Sequence, residues 1–425
     1  MRSSTKLVIT ATTMGNILEW YEFGLYAYLA PVISRIFFSP SHTELAAIIN
    51  VLLIFAIGFL SRPLGGIFFG YIGDRYGRRI AILSSIMMTT IPTFLIGLLP
   101  TYAQIGPWAA WLLVLLRLFQ GFPVGGEFPG TICYLTESAP AGKRAYLGSY
   151  AFFGSQIGTL LNIVECLLME HYLAPEQLAA WGWRLSFIIG GCIGLLGFTL
   201  RYRLTETPLF SALEKKDHVT KTPIRKALHG YKKKMVYAFF IAALPLGGYY
   251  MVFVFTGIYL EQFTHTSVSL GLVITAAYLL LSTISLPLCG KLGDRYGLKK
   301  LLMSSSIAIA ILSFPFYYFA GHGLLLMTAV LGICLVLLLS LHFALISQSL
   351  SGLFPTSVRF TSLAFSYNLC NMILAGTAPF FALYAVKATH NTTSPAFVLM
   401  LLALCTFTAL AFLRENKETL QLEHT

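Results

Sequence analysis

Charge is what this sequence has least of: Asp, Glu, Lys and Arg make up 11% of its 425 residues, where a soluble domain carries about 25%. Hydrophobic residues make up 56% and the mean hydropathy is +0.74. Too few polar side chains remain to cover a surface in water, so the main solvent must be lipid. A phosphate-binding G-x-x-x-x-G-K-[ST] loop is also missing, which excludes ATP as the driver. The seven cysteines (133, 166, 192, 289, 334, 370 and 405) lie in apolar stretches without a C-x-x-C pair. Neither a disulfide framework nor a metal site is therefore expected. No cofactor or catalytic group is expected either. Met1 to Lys6 run straight into an apolar stretch without a small-residue cleavage site, so a removable signal peptide is not expected.

What the chain does have is a series of apolar runs, each long enough to cross a bilayer. They fall at about 11–36, 44–71, 80–102, 108–134, 145–170 and 183–203, then at 236–260, 268–290, 300–320, 324–352, 361–385 and 395–413. The expected architecture is an all-α integral membrane protein of twelve transmembrane helices. Residues 1–203 form one six-helix bundle and 236–413 a second, with a Lys-rich loop at 204–235 and a tail at 414–425. The net charge of +12 does not point to nucleic acid. Most Lys and Arg collect in the tails and alternate loops, the positive-inside pattern, which makes that side the cytoplasm and places both termini there.

The two halves repeat. Gly70-Tyr71-Ile72-Gly73-Asp74-Arg75-Tyr76-Gly77-Arg78-Arg79 follows the second run, and Gly290-Lys291-Leu292-Gly293-Asp294-Arg295-Tyr296-Gly297-Leu298-Lys299 follows the eighth. A weaker echo links Glu137-Ser138-Ala139-Pro140 to Arg144 with Phe354-Pro355 to Arg359. Duplicated bundles related by a pseudo-two-fold axis, with a site between them at mid-membrane, are a transporter architecture.

The doubled loop resembles the signature of the major facilitator superfamily. Within it, the chain is similar to the metabolite:proton symporters, which include permeases for 2-oxoglutarate, citrate, shikimate and proline or betaine. Gly15-Asn16-Ile17-Leu18-Glu19-Trp20-Tyr21-Glu22-Phe23, Arg62-Pro63-Leu64-Gly65-Gly66 and Arg117-Leu118-Phe119-Gln120-Gly121 to Gly125-Gly126-Glu127 carry the likeness. Trp181-Gly182-Trp183-Arg184, Glu206-Thr207-Pro208 and Phe354-Pro355-Thr356 to Arg359 extend it over nearly the whole chain. Where the family usually has Asp, this chain has Glu22, one carbon–carbon bond longer.

Ionisable groups inside the runs carry the functional reading. Each costs ~2.5–3.5 kcal/mol at the bilayer centre, so each marks a cavity or pathway by default. Glu19, Glu22, Arg62, Arg117, Glu127 and Glu165 all lie in the first half. Asn16, Glu19, Glu22 and Tyr26 share one helical face, as do Arg117, Gln120 and Glu127. Arg117 lies roughly 13 Å inside its run at 1.5 Å per residue, nearer in depth to Glu22 than to Glu19. The resemblance implies the same pairing, because related sugar transporters carry an acid in span one and an arginine in span four.

Glu22 is thus the expected proton carrier, with Arg117 governing its ionisation and Glu19 the alternative carrier. A static helix-positioning pair is the competing reading. Substrate is expected at Arg117, Asn16, Tyr26, Gln120 and Gln156, and in the other half at Tyr249, Tyr250, Asn368 and Asn371. Gating is expected at Asp74, Arg75, Asp294, Arg295 and Glu137, with each Asp facing a helix N-terminus and the Arg of these loops pairing with Glu137. Arg62 and Glu127 would pair, either as an inner gate or as a static structural pair.

The function expected is a proton-coupled symporter importing a carboxylate or zwitterion across a plasma or bacterial inner membrane, as a monomer. The alternative is a proton antiporter exporting a drug or siderophore-like compound. A non-transporting sensor would need a larger cytoplasmic extension than 204–235 or 414–425 supplies.

Overall fold

The repeated loop folds as a repeated corner. Gly77 and Gly297 sit at φ +112° and +88°, conformations in which a Cβ is strained. In each case a helix starts at the next residue, Arg78–Leu98 after Gly77 and Leu298–Gly321 after Gly297. The glycines separate one helix from the next, with Tyr76 and Gly77 between α2 and α3 and Gly297 alone at the second corner.

The structure is a computed structural model describing residues 4–39, 61–264 and 268–413. The described residues are almost wholly helical, without strands. We label α1 (Thr5–Tyr28, continued by Ala30–Phe37), α2 (61–75), α3 (Arg78–Leu98), α4 (Trp108–Ser138), α5 (Arg144–Tyr172) and α6 (Pro175–Tyr202). After them come α7 (Lys232–Phe263), α8 (Val268–Tyr296), α9 (Leu298–Gly321), α10 (Leu325–Ser351), α11 (Thr356–Thr389) and α12 (Pro395–Phe412). Ten of these, α3 to α12, are long and apolar enough to cross a membrane. Part of the expected second run, 44–60, and the tail 414–425 lie outside the described residues.

Burial is inverted relative to a water-soluble protein. On α4, Trp108 and Trp111 are each 67% exposed while Gln120 and Glu127 are each 2% exposed. Only a lipid solvent makes that distribution stable, because it leaves apolar side chains outside and polar groups with internal partners.

Two stretches differ from the sequence reading. The sixth helix starts at Pro175, eight residues before the expected 183, because Pro175 opens a short turn and a π-helical turn, Leu178–Gly182, carries it into Trp183. The central stretch 204–235 holds two short helices, Pro208–Lys215 and Pro223–Gly230. The first is capped by Thr207, whose Oγ1 accepts from Phe210 N at 3.3 Å, with Pro208 at the first helical position.

The chain divides into two compact units, one of Met1–Tyr134 with Gly154–Pro223 and one of Leu135–Phe153 with Ile224–Thr425. In the first unit α6 packs along α3 and α1. Arg184 of α6 closes the end of α3 by donating to Gly97 O at 3.0 Å and Leu99 O at 2.7 Å, carbonyls a helix C-terminus leaves unpaired. In the second unit the start of α5 packs on α8 and α10. Ser347 donates to Gly148 O at 2.8 Å there, and Phe152 stacks on Phe343 at 4.8 Å.

Candidate functional site

The first unit buries a continuous polar network on α1, α3 and α4. Glu22 is 3% exposed and both its carboxylate oxygens are engaged. Thr93 of α3 donates to Oε1, and Gln120 Nε2 donates to Oε2 at 2.6 Å. The same Nε2 reaches Thr93 Oγ1 at 2.8 Å, while Gln120 Oε1 accepts from Arg117 Nη1. The Arg117 guanidinium lies 4.1 Å over the ring of Tyr26, where the aromatic face attracts a cation. Glu22 and Arg117, chosen from the sequence as a pair, therefore meet through the amide of Gln120. Helical spacing explains the arrangement: Arg117 and Gln120 are one turn apart on α4, and Thr93 comes from α3, which the sequence reading did not include.

Glu19, one turn earlier on α1, lies 3.9 Å from Arg62 Nη1. Its Oε2 is buried without a hydrogen-bond partner among the described residues. That acceptor is open to a proton or a donor group. Asn16 and Gln156 are fully buried in the same unit.

The expected Arg62–Glu127 gate is corrected. Glu127 is held by Arg201, from the last turn of α6, with Nη1 to Oε2 at 2.9 Å and Nη2 to Oε1. Ser85 adds a bond to Oε2 at 2.6 Å. Arg201 is fully buried and also donates to Ala11 O, Thr12 O and Ile82 O. A Cβ at Gly15 would fall on this pair, so α1 approaches it as closely as only glycine allows. Arg201 escaped sequence reading because its place at the end of a run made it look like one more positive-inside charge.

Asp74 pairs with Arg78 at 3.1 Å, both fully buried. In the second repeat Asp294 accepts from Ala145 N and Tyr146 N, each at 2.9 Å. Those are unpaired donors at the start of α5, the helix N-terminus where a carboxylate is favoured. Glu137 receives Arg359 Nη1 at 2.9 Å, the arginine of the Phe354-to-Arg359 echo, which the expected gating set did not include. Arg295 is exposed, with its guanidinium 5.2 Å from the ring of Tyr296.

In the second unit the expected polar pairs stand where α7 and α11 lose regular geometry. Tyr250 begins one π-helical turn, Tyr250–Val254, and Asn371 begins another, Asn371–Ala375. Such turns are frequent at functional sites. Tyr249 stacks on Phe253 at 5.3 Å, and Asn368 Nδ2 donates to Ala364 O at 2.8 Å. His342 is a helix contact, bonded through Nε2 to Ser305 Oγ at 3.0 Å.

Charged and amide side chains sealed inside apolar helices, together with this helix order, make up a membrane transport protein. The chain belongs to the sugar (and other) transporter family, which it matches over residues 7–236. It is 33% identical over 418 residues to the glycine betaine/proline/ectoine/pipecolic acid transporter OusA of Dickeya dadantii (strain 3937), covering 96% of this chain and 83% of that one. It is 34% identical over 422 residues to a putative proline/betaine transporter of Staphylococcus aureus (strain COL), covering 96% and 88%. Among solved structures it is similar to the major facilitator superfamily proton:xylose symporter XylE bound to 6-bromo-6-deoxy-D-glucose. The TM-score is 0.78 at 18% identity, over 96% of this chain and 94% of the other. That likeness shows the fold, the 12-helix major-facilitator architecture. The protein is a transporter and not an enzyme.

Proposed function

We propose that this protein imports a small zwitterion of the proline or betaine kind together with protons, and that Glu22 carries the proton. The observation that carries the reading is the single amide joining Glu22 to Arg117. Gln120 offers a carbonyl to Arg117 and both amide hydrogens to Glu22 and Thr93. It can hold that pose only while Glu22 Oε2 accepts. A proton on Oε2 sets two donors face to face, so Gln120 must turn or withdraw and Arg117 loses its oxygen. A proton on Oε1 only turns the Thr93 hydroxyl toward Thr89 O, 2.8 Å away. The network thus converts protonation at one atom into movement of a cation on another helix.

The substrates named for the relatives each carry a carboxylate, which an arginine released from Gln120 is suited to receive. Asn16, Tyr26 and Gln156 in the first unit, and Tyr249, Tyr250, Asn368 and Asn371 at the π-turns of the second, are the proposed polar contacts for the rest of the solute. Glu19, with its open oxygen, is the proposed second proton or substrate group. Asp74, Asp294, Glu137 and Arg359 are assigned to gating. The positive-inside distribution supports cytoplasmic termini; a bacterial inner membrane, bundle boundaries at 1–203 and 236–413 and function as a monomer complete the proposal.

The test is made on the purified protein in liposomes. Adding proline or glycine betaine outside should raise the external pH as solute and protons enter together, and labelled solute should accumulate under an inward proton gradient. Acidification of the medium, or solute expelled against its gradient, would replace import by proton-driven export.

A further inference from the structure

Away from the buried network, the second unit holds a cleft of about 510 Å³ at one end of its helices, lined by Gly142, Lys143, Tyr146, Lys291, Asp294 and Arg295. Three cations and one carboxylate face it. Both oxygens of the carboxylate are already engaged by the peptide N–H groups of Ala145 and Tyr146. Asp294 therefore neutralises the start of α5 and leaves Lys143, Lys291 and Arg295 exposed and in excess. Lys291 Nζ stands 5.3 Å from the centre of the Tyr146 ring, on one wall.

A second observation says what kind of anion fits. α8 bears an exposed apolar stripe at four-residue spacing, Leu280, Ile284, Leu288 and Leu292, each 42–64% exposed, and it ends at Tyr296, 53% exposed. Residues four apart lie on one helical face. The stripe therefore runs along α8 to the turn that carries Lys291 and Arg295, and a tyrosine marks the membrane interface there. An apolar track leading into a cationic cleft at the end of a membrane helix matches an acyl chain leading to a phosphate headgroup. Basic pockets between transmembrane helices are where anionic headgroups bind.

We infer that this cleft seats an anionic phospholipid, its phosphate among Lys143, Lys291 and Arg295 and an acyl chain along α8. A lipid held there would bridge the start of α5 and the end of α8, reinforcing the contact Asp294 already makes. This inference does not depend on the transported solute or on the proton carrier.

The experiment uses the full protein in detergent, with thermal unfolding followed as phosphatidylglycerol or phosphatidylcholine is added. Phosphatidylglycerol should stabilise at lower concentration. Lys143→Gln/Lys291→Gln/Arg295→Gln should abolish that preference while unfolding normally with phosphatidylcholine. Each cation near anionic lipid is worth roughly fivefold in binding, so the triple variant should need on the order of 100-fold more phosphatidylglycerol. Equal stabilisation by the two lipids would overturn the proposal, as would a preference that survives in the variant. Equal protection of the wild type by inorganic phosphate alone would reassign the cleft to a soluble anion. The single Lys291→Gln change, less disruptive to folding, should weaken the preference in part, and a variant indistinguishable from wild type would also count against the site.

Discussion

Gln120 Nε2 lies 2.6 Å from Glu22 Oε2, and the carbonyl of the same amide holds Arg117. One neutral side chain thus separates and connects the acid and the base that the sequence sets on two different helices. Gln120→Leu keeps the volume and removes both connections. Glu22 loses one hydrogen bond and Arg117 another, and a buried polar group left unsatisfied costs ~1–3 kcal/mol. Uptake driven by a pH gradient should fall at least about tenfold, as one such lost interaction implies. Thermal unfolding should drop by a comparable free energy. Proteoliposome uptake beside a melting curve measures both, and wild-type coupling in this variant would show that the amide is only packing.

Arg201 should matter more to stability than to coupling. It is fully buried, pairs with Glu127 through two nitrogens and donates to three backbone carbonyls. Removing one partner of a buried pair strands the other charge, at a cost of about 3–5 kcal/mol. Arg201→Met should therefore lower the unfolding temperature sharply, and adding Glu127→Gln should recover part of the loss. A double variant less stable than Arg201→Met would contradict this account of the pair.

Asp294 makes the sharpest case for gating. Asp294→Asn leaves one acceptor oxygen and turns a donor toward one of the two peptide N–H groups at the start of α5. Maximal uptake should fall severalfold while the Michaelis constant stays within about twofold, the pattern of an interaction outside substrate binding. Initial-rate uptake over a range of solute concentrations separates the two parameters. A raised Michaelis constant at unchanged maximal rate would remove Asp294 from gating.

The fold was legible because its signals are long and repeated: apolar runs, a doubled Gly–Asp–Arg corner, and basic residues gathered mostly in alternate loops. The site was legible in part. Glu22, Gln120 and Arg117 stood out because charge and amide are costly in lipid and their helical spacing was regular. Thr93 did not, since a hydroxyl in an apolar run is common and its depth relative to α1 depends on how helices pack. Arg201 was hidden among topogenic charges and Arg359 stood out only as part of an echoed motif; three-dimensional packing turns them inward onto Glu127 and Glu137.

The central claim is that the carboxylate of Glu22 couples solute to protons, and Glu22→Gln tests it most directly. The variant keeps the size of the side chain but cannot release a proton. In liposomes it should fail to accumulate labelled proline or betaine under an inward proton gradient, yet still exchange internal for external solute by counterflow. Accumulation at the wild-type level would show that another group, Glu19 first among them, carries the proton.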